Sequence, residues 1–143
     1  RRRNIGRRTT AATEGYKGQD QGIPRPDGRY FTSPHRYLWS IGMPEDGMLN
    51  FVAPMPLYRH DLATGERVQH VFGEGRIPGE FVFVPRSADA PEGDGWVMGY
   101  VIDRHHGTSA LEILDAMSLF PLAPVHSQHH IPPRFPGNCI PAS

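Results

Sequence analysis

Residues 79–96, GEFVFVPRSADAPEGDGW, decide how this chain is predicted to fold. The apolar run at 81–84 is short, aromatic and β-branched, and a proline closes it, which is typical of a buried strand. Glu80 stands at the head of that run, where a carboxylate must find a partner or lie open to water. An acidic turn at 92–95 leads into a second apolar run at 96–102. The stretch therefore predicts two strands joined by a polar loop.

Segments of the same kind recur along the rest of the chain. Turn-forming residues separate the predicted strands, which lie at 36–41, 57–61, 67–72, 96–103, 110–115 and 122–131. Loops at 62–66 and 104–109 join neighbouring segments as hairpins. Trp39 and Trp96 lie inside strand patterns and are predicted to be core residues. An all-β fold is predicted, and the periodicity leaves open a sandwich, a barrel or a propeller.

Length, charge and cysteine content narrow the class of protein. The 143 residues suffice for one domain with a core, and 16 glycines with 15 prolines favour short strands over long helices. Fifteen basic and fifteen acidic side chains cancel, so no net charge selects nucleic acid or an anionic membrane. No apolar run reaches the about 18 residues of a membrane-spanning helix. Cys139 is the single cysteine, so no internal disulfide can form, and we expect a reducing, cytoplasmic compartment.

The first 21 residues differ in composition from the rest of the chain. Five of the first eight residues are arginine, and residues 1–21 show no apolar period. Such a segment can be a solvated, disordered tail or a basic arm for nucleic acid. No aromatic or motif context supports the second interpretation. We therefore predict a disordered tail at 1–21, a folded unit at 22–143, and no nucleic-acid partner.

Two parts of the sequence resemble the carotenoid cleavage oxygenases, a family that includes the lignostilbene dioxygenases and the visual-cycle retinoid isomerase. The family usually has a Glu-Pro-x-Phe-Val-Pro run followed by Glu-Asp-Asp-Gly-Trp, which is similar to residues 79–96. Phe81 stands where proline is common, and Gly93 replaces one aspartate. Residues 23–27 and 36–39 are similar to a second family segment, Glu-Phe-Pro-Arg-Ile-Asp followed by Arg-Tyr.

The resemblance implies both a fold and a reaction. It covers about residues 23–138 and only the C-terminal portion of the family. It therefore implies an antiparallel meander that forms about the last two blades of a seven-bladed propeller. The family enzymes hold ferrous iron, Fe(II), on the propeller axis through four histidines. They use dioxygen to split a conjugated C=C bond, so the implied partner is an apolar carotenoid or stilbenoid. Uncovered blade edges also favour self-association.

Three positions can be compared with the family's iron centre. Glu80 matches a carboxylate that accepts a hydrogen bond from an iron-binding histidine, although a strand-end glutamate can equally pair with an arginine or a backbone N–H. Gly22 stands where a second such carboxylate is found, and it has no side chain to accept the bond. Residues 129–137 are similar to the family's closing segment, in a register fixed by Pro132, Phe135 and Gly137. In that register Pro136 stands where the fourth histidine ligand is found, and proline offers no lone pair to a metal. The resemblance places the other three histidines upstream of the matched region.

These departures argue against iron binding by this chain and leave open whether it is an enzyme. We assign no catalytic and no metal-ligating residue, and we predict that the chain alone is inactive. The alternative is a non-catalytic, degenerate propeller fragment that binds a partner or a ligand. A zinc site is disfavoured, because the chain has one cysteine and its later histidines are irregularly spaced; these are His105, His106, His126, His129 and His130.

Overall fold

The computed structural model describes residues 24–42 and 55–127 of the chain. The strands in these ranges are β1 (Tyr37–Ile41), β2 (Leu57–Asp61), β3 (Arg67–His70), β4 (Arg76–Pro78), β5 (Val82–Pro85), β6 (Gly95–Asp103), β7 (Thr108–Asp115) and β8 (Pro121–Ser127). One 3₁₀ turn, Gly28–Tyr30, is the helical element of the described ranges, and no helix there is long and apolar enough to cross a membrane. The prediction of an all-β fold is confirmed.

The strands form two antiparallel sheets. The first has the order β1-β2-β3, and the second has the order β4-β6-β7-β8. β5 also pairs with β6. Since β7 occupies one side of β6 along its length, β4 and β5 both lie along the other side of β6. The second sheet is thus a four-stranded meander whose first strand is interrupted. This arrangement matches the antiparallel meander predicted for a partial propeller.

The interruption between β4 and β5 lies at residues 79–81. The Gly79 N–H donates to the Tyr100 carbonyl at 2.7 Å, so the edge stays attached to β6. Gly99 lies beside the break, where a side-chain Cβ would come within 2.6 Å of the Glu80 carbonyl oxygen. A glycine in a strand often marks such a close approach of two backbones. Glu80 is therefore held at a fixed break in the edge strand.

Aromatic and aliphatic side chains between the sheets form the core. Trp39 of β1 is 2 % exposed and stacks on Phe83 of β5, with the ring centroids 4.9 Å apart. Its indole N–H donates to the Ala116 carbonyl at 2.9 Å, so the polar atom of this ring is satisfied inside the core. The other buried core side chains are Leu57, Phe72, Phe81, Val97, Val101, Leu114, Ala116 and Leu119. This apolar contact joins the two sheets.

The second sheet buries one face, and the described residues leave the other face uncovered. Val97 and Leu114 are fully buried, whereas Tyr100 is 46 % exposed. The strand register places five partly or largely exposed side chains together, which we call the outward face: Met98, Tyr100, Leu111, Ile113 and Val125. The alternation leaves one face of the predicted strand at 110–115 more buried than the other.

Among the described strands, β8 is an exposed edge strand of the second sheet. Residues 121–126 are all exposed, and both Pro121 and Pro124 lack an N–H to donate. Leu122 is 52 % exposed, so apolar as well as polar side chains reach solvent here. Proline is one means by which edge strands avoid pairing with another chain. The part of the predicted strand 122–131 beyond residue 127 lies outside the described residues.

The structure corrects the sequence-based prediction at β4 and at Trp96. The sequence did not predict β4, because three residues are too few to show a period. Trp96 is only partly buried and is absent from the core, because Val97 takes the inward position on β6. The Trp96 ring instead contacts Arg86, whose guanidinium carbon lies 4.8 Å from the ring centroid.

Candidate functional site

Glu80 meets Arg25 where the two sheets adjoin. Nη2 of Arg25 lies 3.1 Å from Oε2 of Glu80, and the two side chains are 24 % and 32 % exposed. Oε2 is buried and accepts no well-aligned hydrogen bond from the described residues, so the contact is an ion pair without hydrogen-bond geometry. An arginine partner agrees with the structural interpretation of Glu80. The buried oxygen nevertheless retains the capacity to accept a hydrogen bond from a further donor.

Arg25 is carried by a short, rigid segment that extends the first sheet. It lies between Pro24 and Pro26, which restrict its backbone to extended conformations. Its N–H donates to the Trp39 carbonyl at 2.8 Å, and its carbonyl accepts from the Trp39 N–H at 3.0 Å. Because β1 pairs with β2 on its other side, Arg25 lies on the opposite edge of β1. The most buried residue of β1 thus fixes the backbone of Arg25.

Asp27 and Arg29 tie the same segment to the second sheet. The Asp27 side chain is 1 % exposed and accepts hydrogen bonds from the backbone N–H and the guanidinium of Arg29. Nη1 of Arg29 donates to the carbonyls of Ala88 and Ala90, at 3.0 and 2.9 Å. The hydrogen bond to Asp27 raises the pKa of Arg29, which favours its charged form. The segment that carries Arg25 therefore contacts the first sheet and the loop between β5 and β6 of the second sheet.

The acidic turn at 92–95 also joins the sheets. Oε1 of Glu92 accepts hydrogen bonds from the backbone N–H groups of Arg36 and Tyr37, at 2.6 and 2.9 Å. These donors lie at the start of β1, so a carboxylate from the second sheet fixes where the first sheet begins. Asp94 of the same turn pairs with Arg86 at 2.9 Å. Two acidic residues of the sequence motif therefore have structural roles here.

Replacing Glu92 with alanine is expected to lower the free energy of unfolding by about 1–2 kcal/mol, because two charge-assisted but partly exposed hydrogen bonds are lost. Glu92→Gln keeps one acceptor oxygen and should lose less. Urea denaturation monitored by tryptophan fluorescence measures the difference. Asp89→Ala, in the exposed part of the same loop, is the control, and an equal loss in both variants would contradict a specific role for Glu92.

An ion pair between a half-exposed arginine and a buried aspartate holds the loop after β2. Arg36 binds Asp61 through two parallel hydrogen bonds, Nε to Oδ1 at 2.9 Å and Nη2 to Oδ2 at 2.7 Å. Oδ1 also accepts from the backbone N–H of Ala63 at 2.9 Å. These hydrogen bonds hold the pKa of Asp61 well below its usual range, and the bond from Arg36 has the largest effect. The carboxylate therefore stays ionised and caps the turn.

Ser40 and His60 form a second polar contact inside the first sheet. The Ser40 hydroxyl lies 3.0 Å from Nε2 of His60, and the two residues are 3 % and 8 % exposed. Burial first, and then the positive charges of Arg67 and Arg59, lower the pKa of His60 to about 4. A neutral imidazole beside a hydroxyl is the pairing that activates a nucleophile. Because both groups are buried, this pair serves packing rather than attack on a substrate.

The later histidines lie in loop and edge positions. His105 and His106 follow β6, where their backbone N–H groups donate to Oδ1 of Asp103 at 2.9 and 3.1 Å. Nδ1 of His106 also contacts Oδ2 of Asp103 at 3.0 Å, and these bonds hold the pKa of Asp103 below its usual range. His126 is exposed on β8. His129 and His130 lie outside the described residues.

The described residues do not by themselves form an iron centre. Residues 24–42 and 55–127 contain no group of three or more His, Cys, Asp or Glu side chains that could hold a metal ion. Glu80 could accept a hydrogen bond from a metal-bound histidine, but one carboxylate does not replace a set of imidazole ligands. Gly22 and Pro136 lie outside the described residues, so their comparison with iron-centre residues stays a prediction.

Known proteins resemble this chain in both sequence and fold. The family model described as "RPE65: Retinal pigment epithelial membrane protein" matches residues 3–141. A carotenoid cleavage oxygenase of Mycobacterium tuberculosis is 33 % identical over 126 residues, which are 86 % of this chain and 25 % of that protein. Lignostilbene-alpha,beta-dioxygenase isozyme III of Sphingomonas paucimobilis is 35 % identical over 104 residues, 68 % of this chain and 21 % of that protein.

Solved structures give the same result. The cobalt-substituted oxygenase ACO of Synechocystis has a TM-score of 0.70 and 26 % identity, covering 84 % of this chain and 25 % of that one. The lignostilbene dioxygenase of Pseudomonas brassicacearum has a TM-score of 0.69 and 25 % identity, and the match covers 79 % of this chain and 25 % of that one. The chain spans about a quarter of the length of these relatives. The predicted partial propeller and the predicted relationship are confirmed, and the chain belongs to the carotenoid cleavage oxygenase family.

Proposed function

We propose that this chain supplies the closing sheets of an oxygenase that splits a conjugated carbon–carbon double bond with dioxygen, and that it is inactive alone. The names of its relatives, carotenoid cleavage oxygenase and lignostilbene dioxygenase, support this reaction class. The proposed substrate is an apolar conjugated molecule, a carotenoid or a stilbenoid. The proposed cofactor of the whole protein is ferrous iron, which would supply the chemistry that activates dioxygen.

The observation that carries the proposal is the position of Glu80. Its carboxylate lies at a fixed break in an edge strand, and its buried Oε2 accepts no hydrogen bond from the described residues. A histidine that binds a metal through one ring nitrogen usually donates its other N–H to a carboxylate or carbonyl. Glu80 is suited to accept that bond, which would orient the ring. Its negative charge would also balance part of the charge of a metal held by neutral ligands.

The outward face supports the second part of the proposal, that the chain is incomplete as an enzyme. Tyr100 and Val125 of the outward face are 46 % and 56 % exposed. Exposed apolar patches of this kind mark surfaces that pack against other protein. We propose that further sheets of a longer polypeptide cover this face, and that the isolated chain self-associates. A cytoplasmic location also stays a prediction, which the single cysteine, Cys139, supports.

Loading the purified 143-residue chain with ferrous iron under anaerobic conditions tests its inactivity. We expect far less than one iron per chain after gel filtration, and no turnover of a carotenoid or a stilbene. The reason is that the described residues provide no ligand cluster and that Pro136 stands at a histidine position. One tightly held iron per chain together with turnover would overturn this expectation.

A chimera separates an incomplete enzyme from a non-catalytic module. In it, this chain replaces the matching quarter of the Mycobacterium tuberculosis relative. A version carrying Gly22→Glu and Pro136→His, which we call the repaired chimera, should bind one iron and turn over, whereas the unrepaired chimera should bind iron at least about tenfold more weakly. If the repaired chimera folds but neither binds iron nor turns over, the non-catalytic alternative is favoured.

A further inference from the structure

We propose that Arg25 is a positioning residue for Glu80, which holds the carboxylate at the angle needed to accept an N–H from a metal-bound histidine. This inference rests on the proposed function. The family resemblance implies a role at the iron centre for Glu80 and none for Arg25. The structure brings the two together across 55 positions of the chain, at 3.1 Å.

The geometry of the pair favours positioning over simple charge neutralisation. A carboxylate that Arg25 neutralised fully would engage its guanidinium in two parallel hydrogen bonds, as Asp61 does with Arg36. The Arg25–Glu80 contact lacks hydrogen-bond alignment at Oε2, so the arginine attracts the carboxylate without occupying that oxygen's acceptor capacity. A donor from elsewhere in the protein could therefore still bind Oε2.

The scaffold around the pair is rigid on both sides. Arg25 lies between two prolines, its backbone is bonded to Trp39 in the core, and Asp27 and Arg29 fix the following residues to the second sheet. Glu80 is fixed by the Gly79 hydrogen bond to β6 and by the close approach of Gly99. With both backbones fixed, the attraction between the two side chains orients the carboxylate.

A double-mutant cycle on the 143-residue chain measures the contact. Arg25→Met, Glu80→Gln and the double variant are compared with the unchanged chain by urea denaturation. We expect a coupling of roughly two- to fivefold in the unfolding equilibrium constant, as is usual for a partly exposed ion pair. Arg25→Lys should restore part of it. An absence of coupling would overturn the proposal.

Iron affinity of the repaired chimera distinguishes positioning from a merely structural contact. Glu80→Gln should weaken iron binding about 10- to 100-fold, and Arg25→Met about threefold or more, with no further loss when Glu80 is already glutamine. Arg86→Met, which removes an exposed arginine paired with Asp94, is the matched control and should leave iron affinity unchanged. If Glu80→Gln weakens binding but Arg25→Met does not, the positioning role is wrong and the proposed function stands. If Glu80→Gln has no effect, the proposed role of Glu80 itself is wrong.

Discussion

Replacing Trp39 with alanine is expected to lower the free energy of unfolding by about 3–5 kcal/mol, the largest loss from any single side chain of the described core. The substitution removes a ring that is 2 % exposed, its stacking on Phe83 and its hydrogen bond to the Ala116 carbonyl. That carbonyl would then be buried without its partner, which adds to the cost. Chemical denaturation of the 143-residue chain measures the loss.

Trp96→Ala is the matched control for this prediction. Trp96 is the other tryptophan of the chain, and it is partly buried beside Arg86 rather than packed in the core. Its removal should cost less than half as much as the loss of Trp39. Equal losses in the two variants would show that the sheets are not joined through Trp39.

Lowering the pH from 6.5 to 4 is expected to destabilise the chain by about 3 kcal/mol through His60 alone. Burial and the nearby arginines lower the pKa of His60 from its ordinary 6.5 to about 4 in the folded chain. In this interval the unfolded chain takes up a proton that the folded chain does not, so stability is full above pH 6.5 and falls as the pH approaches 4. Urea denaturation at several pH values measures the slope.

His60→Gln should flatten the pH dependence, because glutamine can still bond to the Ser40 hydroxyl but does not titrate. Some slope should remain, since burial also lowers the pKa of His70. His126→Gln, which changes an exposed histidine on β8, is the surface control. A slope that is unchanged in His60→Gln would show that His60 is not the group responsible.

Most of the strands could be predicted from the sequence, because turn residues bound short segments of strand-like composition. The predicted segments 57–61 and 96–103 agree with β2 and β6 within one residue at each end. The predicted segment 67–72 is too long, since the strand stops at His70 and Phe72 turns into the core, with its ring centroid 5.3 Å from that of Phe81. Local pattern does not reveal where a chain leaves its sheet.

The site was less predictable, because it depends on contacts between distant residues. Glu80 could be singled out from its place in the motif, but its partner Arg25 comes from the other sheet. The Ser40–His60 contact was missed for a similar reason. His60 lies opposite Leu38, so Ser40 is its diagonal neighbour, and the long connection between β1 and β2 does not fix that register from sequence.

The two prolines of β8 also constrain how this molecule can meet a neighbour. Proline at positions 121 and 124 removes two N–H donors from β8, and proline on an edge strand disfavours pairing with a further strand. The outward face has no such obstacle, since its contacts are made by side chains. We therefore expect a partner to pack face to face on the outward face instead of adding a strand beside β8.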